Sequence, residues 1–201
     1  MKDSAMDWGS IEAKLQKVLT ENRYRHTMGV TYTACALAMV CGADLNQARL
    51  AGLLHDCAKC ISNKEKIEMC RKQKLDVTAF ELDHPVLLHA KLGEYLAEKK
   101  YGVKDEAVLS AIRWHTTGKP AMTDLEMIIY IADYIEPNRD KAPHLSEVRK
   151  EAFKDLENCM YLILRDSVEY LKSKPDAMDE TTLKAYEYYR DLMEKRKIRE
   201  E

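Results

Sequence analysis

The sequence predicts an all-α protein. Three observations carry that expectation. Apolar residues recur at three- and four-residue spacing along most of the chain, two Ser/Thr-x-x-Glu capping boxes open such stretches, and no segment alternates with the period of a strand. A chain of 201 residues fills one core well, whereas two full domains would be cramped.

The elements follow in order. Ile11, Leu15, Val18 and Leu19 share one face of a first helix, after a Ser10 cap. A second, buried helix covers 24–41 and ends at Gly42. Asp44 or Asn46 opens a third, which carries LAGLLHDCAK. Ser62 and Glu65 box the start of a fourth, running to about residue 72. Pro85 suits the first turn of a helix to about Lys100, and another covers 105–115. Thr123 and Glu126 form the second box, for 124–135. A proline loop at 137–145 precedes a long helix from Ser146 to about Lys172. SKPDAM breaks the chain before a charged terminal helix at 179–198, whose end (MEKRKIREE) is expected to fray. The organisation is one bundle over 1–201, with a core at 18–140 and a C-terminal helical pair at 146–198.

Composition narrows the function. At 46% hydrophobic and 33% charged the chain reads as a soluble globular protein, and a net charge of −2 gives no global footprint for nucleic acid or an anionic membrane. Its 32 Lys and Arg still allow a local basic pocket. Thr27–Ala43 carries no charge, but it is rich in Thr, Ala and Gly and shorter than a membrane span, so burial in protein is the expectation. MKDSAMDWGS lacks the apolar stretch of a secretory leader, and the six scattered cysteines read as reduced thiols in a cytoplasm. Cys57 and Cys60 have C-x-x-C spacing without a second pair downstream, which is poor support for a zinc or redox site.

The chemistry centres on LLHDCAK, where His55 and Asp56 enter an apolar helix. A buried carboxylate without a partner costs several kcal/mol, and Asp133 inside IIYIADYI poses the same problem. His26, His55, His84, His89 and His115 fall in or beside the same helices. Divalent metal ions would satisfy both needs, compensating the carboxylates and taking neutral imidazoles as ligands. Adjacent helical positions point about 100° apart, so His55 and Asp56 approach a site from neighbouring directions and Asp56 is free to bridge a second ion. Gly93, four residues after His89, leaves the facing helix uncrowded.

These residues resemble a known family. RYRHTMGV, AGLLHDCAK, HPVLLHAKLGEYL, AIRWHTTG and IIYIADYIEPNR run in order over about 23–140, as in the HD-domain metal-dependent phosphohydrolases and, more closely, their YqeK branch of symmetrical diadenosine tetraphosphatases. The resemblance implies an HD-domain helical bundle with two metal ions. His26, His55, Asp56 and Asp133 would hold one ion, and Asp56, His89 and His115 the other. Nitrogen and oxygen donors without thiolate suit iron or manganese, with zinc or magnesium as alternatives, and the resemblance favours iron. The implied reaction is attack by a hydroxide of the two-metal centre on an inner phosphorus of a dinucleoside tetraphosphate, giving two nucleoside diphosphates.

Around this set, Lys59 shares a helical face with His55 and Asp56 and is expected to neutralise phosphate charge, which makes Asp56 and Lys59 the catalytic pair. Arg113, Thr116, Thr117, Gly118 and Lys119 flank His115 as candidate phosphate-channel residues, joined by Asn138 and Arg139 after Asp133. His84 before Pro85 reads as a helix cap, a donor to a ligand or a phosphate contact. Arg23 and Arg25 are set aside as surface arginines, and His144 as a solvent-side residue. Two rivals stand: another HD nucleotidase or phosphodiesterase, and a non-catalytic metal-stabilised nucleotide-binding module. The expected partner is a nucleotide substrate, with neither nucleic acid nor membrane, and a homodimer is left open.

Overall fold

The computed structural model describes residues 7–174 and 178–200, and among these it contains helices and turns but no strand. The expectations for MKDSAM, the centre of SKPDAM and the last residue of MEKRKIREE therefore fall on residues 1–6, 175–177 and 201, outside the described residues. The helices are α1 (Trp8–Val18), α2 (Glu21–Cys41), α3 (Leu45–Leu54), α4 (Asn63–Lys72), α5 (Ala79–Asp83), α6 (Leu88–Lys99), α7 (Glu106–Trp114), α8 (Asp124–Ile135), α9 (Leu145–Glu151), α10 (Leu156–Lys172) and α11 (Glu180–Glu200).

Helix α8 is the central post. It is apolar nearly all round, and Leu125 to Ala132 are buried without a gap, which forces neighbours onto every side. α2, α7 and α10 pack against it, α3 lies between α2 and α7, and α6 covers α7. The α2–α3 contact is closest at Gly52, where a Cβ would come within 2.9 Å of the Thr31 Cα. That approach sets the end of α3 beside the middle of α2. Among the described residues no helix is long and apolar enough to cross a membrane.

Both predicted capping boxes are present at their predicted residues, and α8 spans the predicted range. A third box, Thr78 with Glu81, opens the short α5, which the sequence reading omitted. Other boundaries moved for identifiable reasons. Asp7 rather than Ser10 caps α1, accepting from the Ser10 amide at 3.0 Å. Thr20 caps α2 three residues earlier than expected. Pro85 lies in a turn before α6, not inside it. The long helix predicted from Ser146 is two helices: the chain turns at 152–154 and Asp155 starts α10 afresh by accepting from the Asn158 amide at 3.0 Å. His144 precedes α9 at φ 50°; its side chain is exposed, on the solvent side as expected, with Nδ1 2.9 Å from the buried Asp166 carboxylate.

The charge-free stretch in α2 is covered on one face only. Tyr32, Met39 and Val40 stand 66, 68 and 62% exposed, because the small residues of the opposite face, such as Ala34 and Ala38, already fill the contact with α3 and α8.

Two substitutions test this packing. Gly52→Ala should push α2 from α3, destabilising the protein by about 2 kcal/mol and lowering Tm by roughly 4–8 °C in a thermal melt. Glu126 is buried, accepts from the Thr123 amide at 2.8 Å and Lys119 at 2.9 Å, and also binds Ser110. Burial opposes its ionisation, but these donors prevail and hold its carboxyl below the ordinary range. A depressed folded-state pKa gives stability that is present above the unfolded value and lost as pH falls. Glu126→Gln should therefore cost about 1–2 kcal/mol at neutral pH, with the gap to the parent narrowing between about pH 5 and 3 in urea titrations.

Candidate metal centre

Five helix segments deliver the centre. His26 faces inward from the first half of α2, His55 and Asp56 follow α3, His89 is in the first turn of α6, His115 follows α7, and Asp133 lies in the last turn of α8. His55 is the C-cap of α3, so the doublet sits at a helix end and not within a helix. Tight turns follow, with the Cys57 amide bonded to the Leu54 carbonyl at 3.1 Å and the Lys59 amide to the Asp56 carbonyl at 2.9 Å. They carry Lys59 back over the site, where helical periodicity had also placed it.

Asp56, only 1% exposed, is the hub. Its Oδ2 lies 3.4 Å from His55 Nε2 and 3.7 Å from His26 Nε2. Its Oδ1 lies 3.3 Å from His89 Nε2 and 3.7 Å from His115 Nε2. Each carboxylate oxygen thus addresses one pair of imidazoles. Two triads result, His26–His55–Asp56 and Asp56–His89–His115, each with donor atoms mutually within 4.8 Å. Asp133 borders the first through Oδ1, 3.0 Å from His26 Nε2, while Arg139 holds the same oxygen at 2.7 Å.

The imidazoles are oriented in one sense. His55, His89 and His115 each direct Nδ1 at the carbonyl three residues earlier, of Gly52 at 2.7 Å, Val86 at 2.5 Å and Ile112 at 2.7 Å. His26 Nδ1 instead meets Glu136 Oε1 at 3.1 Å. With Nδ1–H donated, every Nε2 offers a lone pair to the centre. His89 and His115 then bring two lone pairs to 3.1 Å of each other, an arrangement that repels unless a cation is near. His26 Nε2, His55 Nε2 and Asp56 Oδ1 are buried without a hydrogen-bond partner. These residues fit divalent metal ions, which would satisfy the converging donors.

The electrostatics agree. Burial opposes ionisation of Asp56, but the groups around it, the Lys59 ammonium among them, outweigh it and hold the carboxyl well below its ordinary range. Burial, Lys59 and His115 together keep His89 neutral, the form that binds metal. Burial raises the Cys57 thiol to about 12, leaving it a protonated packing group with Sγ 3.5 Å from the Gly93 carbonyl. Cys60 is exposed, and neither cysteine joins a triad.

Above the centre a cavity of about 770 Å³ is lined by both acidic and basic groups, among them Arg23, Arg25, Lys59, Asp133, Arg139 and Lys141. The HD domain family model matches residues 23–138, the stretch that supplies every one of these candidate donors. The chain belongs to the HD domain family. Its likeness to particular HD proteins extends beyond that stretch. It is 42% identical to the Bacillus subtilis (strain 168) protein named bis(5'-nucleosyl)-tetraphosphatase, symmetrical, over 88% of this chain and 94% of that one. A protein of the same name from Halalkalibacterium halodurans is 42% identical over 84% of this chain and 89% of its own. A Clostridium acetobutylicum crystal structure, described as a "predicted HD superfamily hydrolase involved in NAD metabolism", superposes with a TM-score of 0.88 at 38% identity, covering 92% of this chain and 97% of that one.

Not every candidate reaches the cavity of this HD domain. Lys59, Thr116, Asn138 and Arg139 line it, and the Thr116 hydroxyl lies 3.3 Å from His89 Nε2 and 3.2 Å from His115 Nε2. Arg113, Thr117, Gly118 and Lys119 do not line it. Arg113 turns to Glu94 at 2.8 Å, Lys119 to Glu126 at 2.9 Å, the Thr117 hydroxyl donates to the Gly118 carbonyl, and Gly118 at φ 65° makes the turn against Tyr130. His84 caps α5, stacked on Phe80 at 4.2 Å with Nδ1 at the Phe80 carbonyl, so of its three readings the cap is the one with a contact.

Two residues were overlooked. Arg23, discounted as a surface arginine, bonds Asp56 Oδ2 at 2.8 Å, and Glu136 holds His26. Helical spacing could have found both, because Arg23 stands three residues before His26 and Glu136 three after Asp133. Replacing Asp56 by Asn removes the charge both triads share. The variant should keep its far-ultraviolet circular dichroism and lose bound metal, read by elemental analysis of purified protein; a metal content equal to the parent's would refute the centre.

Proposed function

We propose that this chain hydrolyses dinucleoside tetraphosphates symmetrically, converting diadenosine tetraphosphate to two ADP. One observation carries the reading: a buried carboxylate is shared between two imidazole pairs at the floor of a cavity whose wall holds Arg23, Arg25, Lys59, Arg139 and Lys141. That wall suits a ligand with several phosphate charges in a row. The extent of the likeness to two proteins named as symmetrical tetraphosphatases supports this substrate within the wider HD group.

We assign His26, His55, Asp56 and Asp133 to one metal ion and Asp56, His89 and His115 to the other. Bound there, divalent ions supply Lewis acidity and a water ionised near neutral pH. Iron or manganese suits the nitrogen and oxygen donors. The protein's own groups do the rest. Asp56 keeps its negative charge, and the four rings keep their Nε2 lone pairs aimed inward because each Nδ1–H is engaged. Lys59 Nζ, 3.0 Å from His89 Nε2 and 3.8 Å from Asp56 Oδ1, stands at the cavity edge to neutralise an oxygen of the phosphate under attack. Thr116 offers a hydroxyl beside it, and Arg139 and Asn138 line the opposite wall, where phosphates of the departing half would pass. The six free cysteines suit a reducing cytoplasm.

The products decide the assignment. Metal-reconstituted protein incubated with diadenosine tetraphosphate should yield ADP alone when nucleotides are separated by ion exchange. AMP with ATP would overturn symmetrical cleavage, and faster turnover of ATP or a cyclic dinucleotide would favour a different HD phosphohydrolase.

A further inference from the structure

The four imidazoles differ in what stands behind them. His55, His89 and His115 donate Nδ1–H to neutral backbone carbonyls, while His26 donates to the carboxylate of Glu136. Glu136 is 1% exposed and is itself fixed, since Oε2 accepts from both the amide and the side-chain nitrogen of Asn138 at 2.8 Å. Arg149 ties the same turn by donating to the carbonyls of Ile135, Glu136 and Arg139, each at 2.9 Å. Room for the carboxylate comes from α2. A Cβ at Gly29 would collide with Glu136 Oε2 and stand 3.2 Å from Asn138 Nδ2. Glycine inside a helix costs about 0.5–1 kcal/mol relative to alanine, so an unfavourable residue sits where the carboxylate needs space.

The charges on the two sides also differ. Beside the His89–His115 pair lies the Lys59 ammonium, 3.0 Å from His89 Nε2. Beside the His26–His55 pair lie two carboxylates in addition to Asp56, with Asp133 at its edge and Glu136 behind the ring. Arg23 and Arg139 partly offset them, but these side chains are 30 and 43% exposed and turn to the cavity, where water screens them. The buried Glu136 is screened far less.

We propose that Glu136 is a positioning residue that locks and strengthens His26 as a donor, making the His26–His55–Asp133 position the tighter of the two metal positions. A carboxylate behind an imidazole fixes its tautomer and raises its donor strength, and loss of such a partner typically weakens metal binding by roughly 10–100-fold. The inference rests on the two-metal reading.

The test is a titration of metal-stripped protein with Mn²⁺, following free Mn²⁺ by its electron paramagnetic resonance signal and binding heat by calorimetry. The wild type should show one tight and one weaker class of site. Glu136→Gln, which keeps the shape and removes the charge, should weaken the tight class by roughly 10–100-fold and leave the weaker class in place. A thermal melt without metal establishes that the variant is folded. Equal classes in the wild type, an unchanged tight class in the variant, or an equal loss in both classes would each overturn the inference. Two equal classes leave the two-metal reading standing; a wild type that binds no Mn²⁺ removes both. Should Glu136→Gln not fold, Asn138→Ala, which removes one of the two donors that fix Glu136 Oε2, must weaken the tight class selectively or the inference fails.

Discussion

A carboxylate buried to 1% exposure is the constraint around which this molecule is arranged. Arg23 and Lys59 stand beside Asp56 as cations, and each of its oxygens faces a pair of imidazole Nε2 atoms, a gathering of donors that divalent ions would complete. Supplying those partners requires segments from α2, α3, α6 and α7 to end or pass within a few ångströms of one point, with α8 as the post they share. The close approach at Gly52 and the absent side chain at Gly29 are local expressions of the same demand.

Helix ends make that convergence possible. The carbonyls of the last turn of a helix have no partner within it. His55 and His115, capping α3 and α7, place Nδ1–H on such carbonyls, those of Gly52 and Ile112. One hydrogen bond thereby satisfies a helix terminus and selects the tautomer that leaves Nε2 free. The same side chain finishes the helix and joins the cluster, so a position that reads as an ordinary cap also supplies a candidate metal donor.

Much of this was readable from residue order. Capping boxes have a fixed spacing and a local cause, and the two that were identified marked α4 and α8 correctly. The break at 152–154 was missed because the apolar pattern runs on through Ala152 and Leu156, and Asp155 signals a start only if the turn before it is known. The cluster of His and Asp was legible because buried His and Asp need compensation wherever they lie. The cavity wall was less so. Arg113 to Lys119 adjoin His115 in sequence, yet only Thr116 among the proposed five lines the cavity: Arg113 leaves α7 toward Glu94, and the turn after α7 sends Lys119 to Glu126 and the Thr117 hydroxyl to the Gly118 carbonyl. Arg23 failed the reverse test: an arginine looks the same in sequence whether it meets water or a buried carboxylate.

His26 and Glu136 stand 110 residues apart, and the other donors lie between them. Closing loops of that length precedes the contact it permits, so the donor set is complete only after the long-range packing of α2 on α8 has formed. Donors drawn from such distant segments converge only in the folded chain, so metal ions held there would bind the folded state alone. An ion that binds the folded centre and not the unfolded chain adds to stability, so its supply would act on the loaded fraction and on the folded fraction alike.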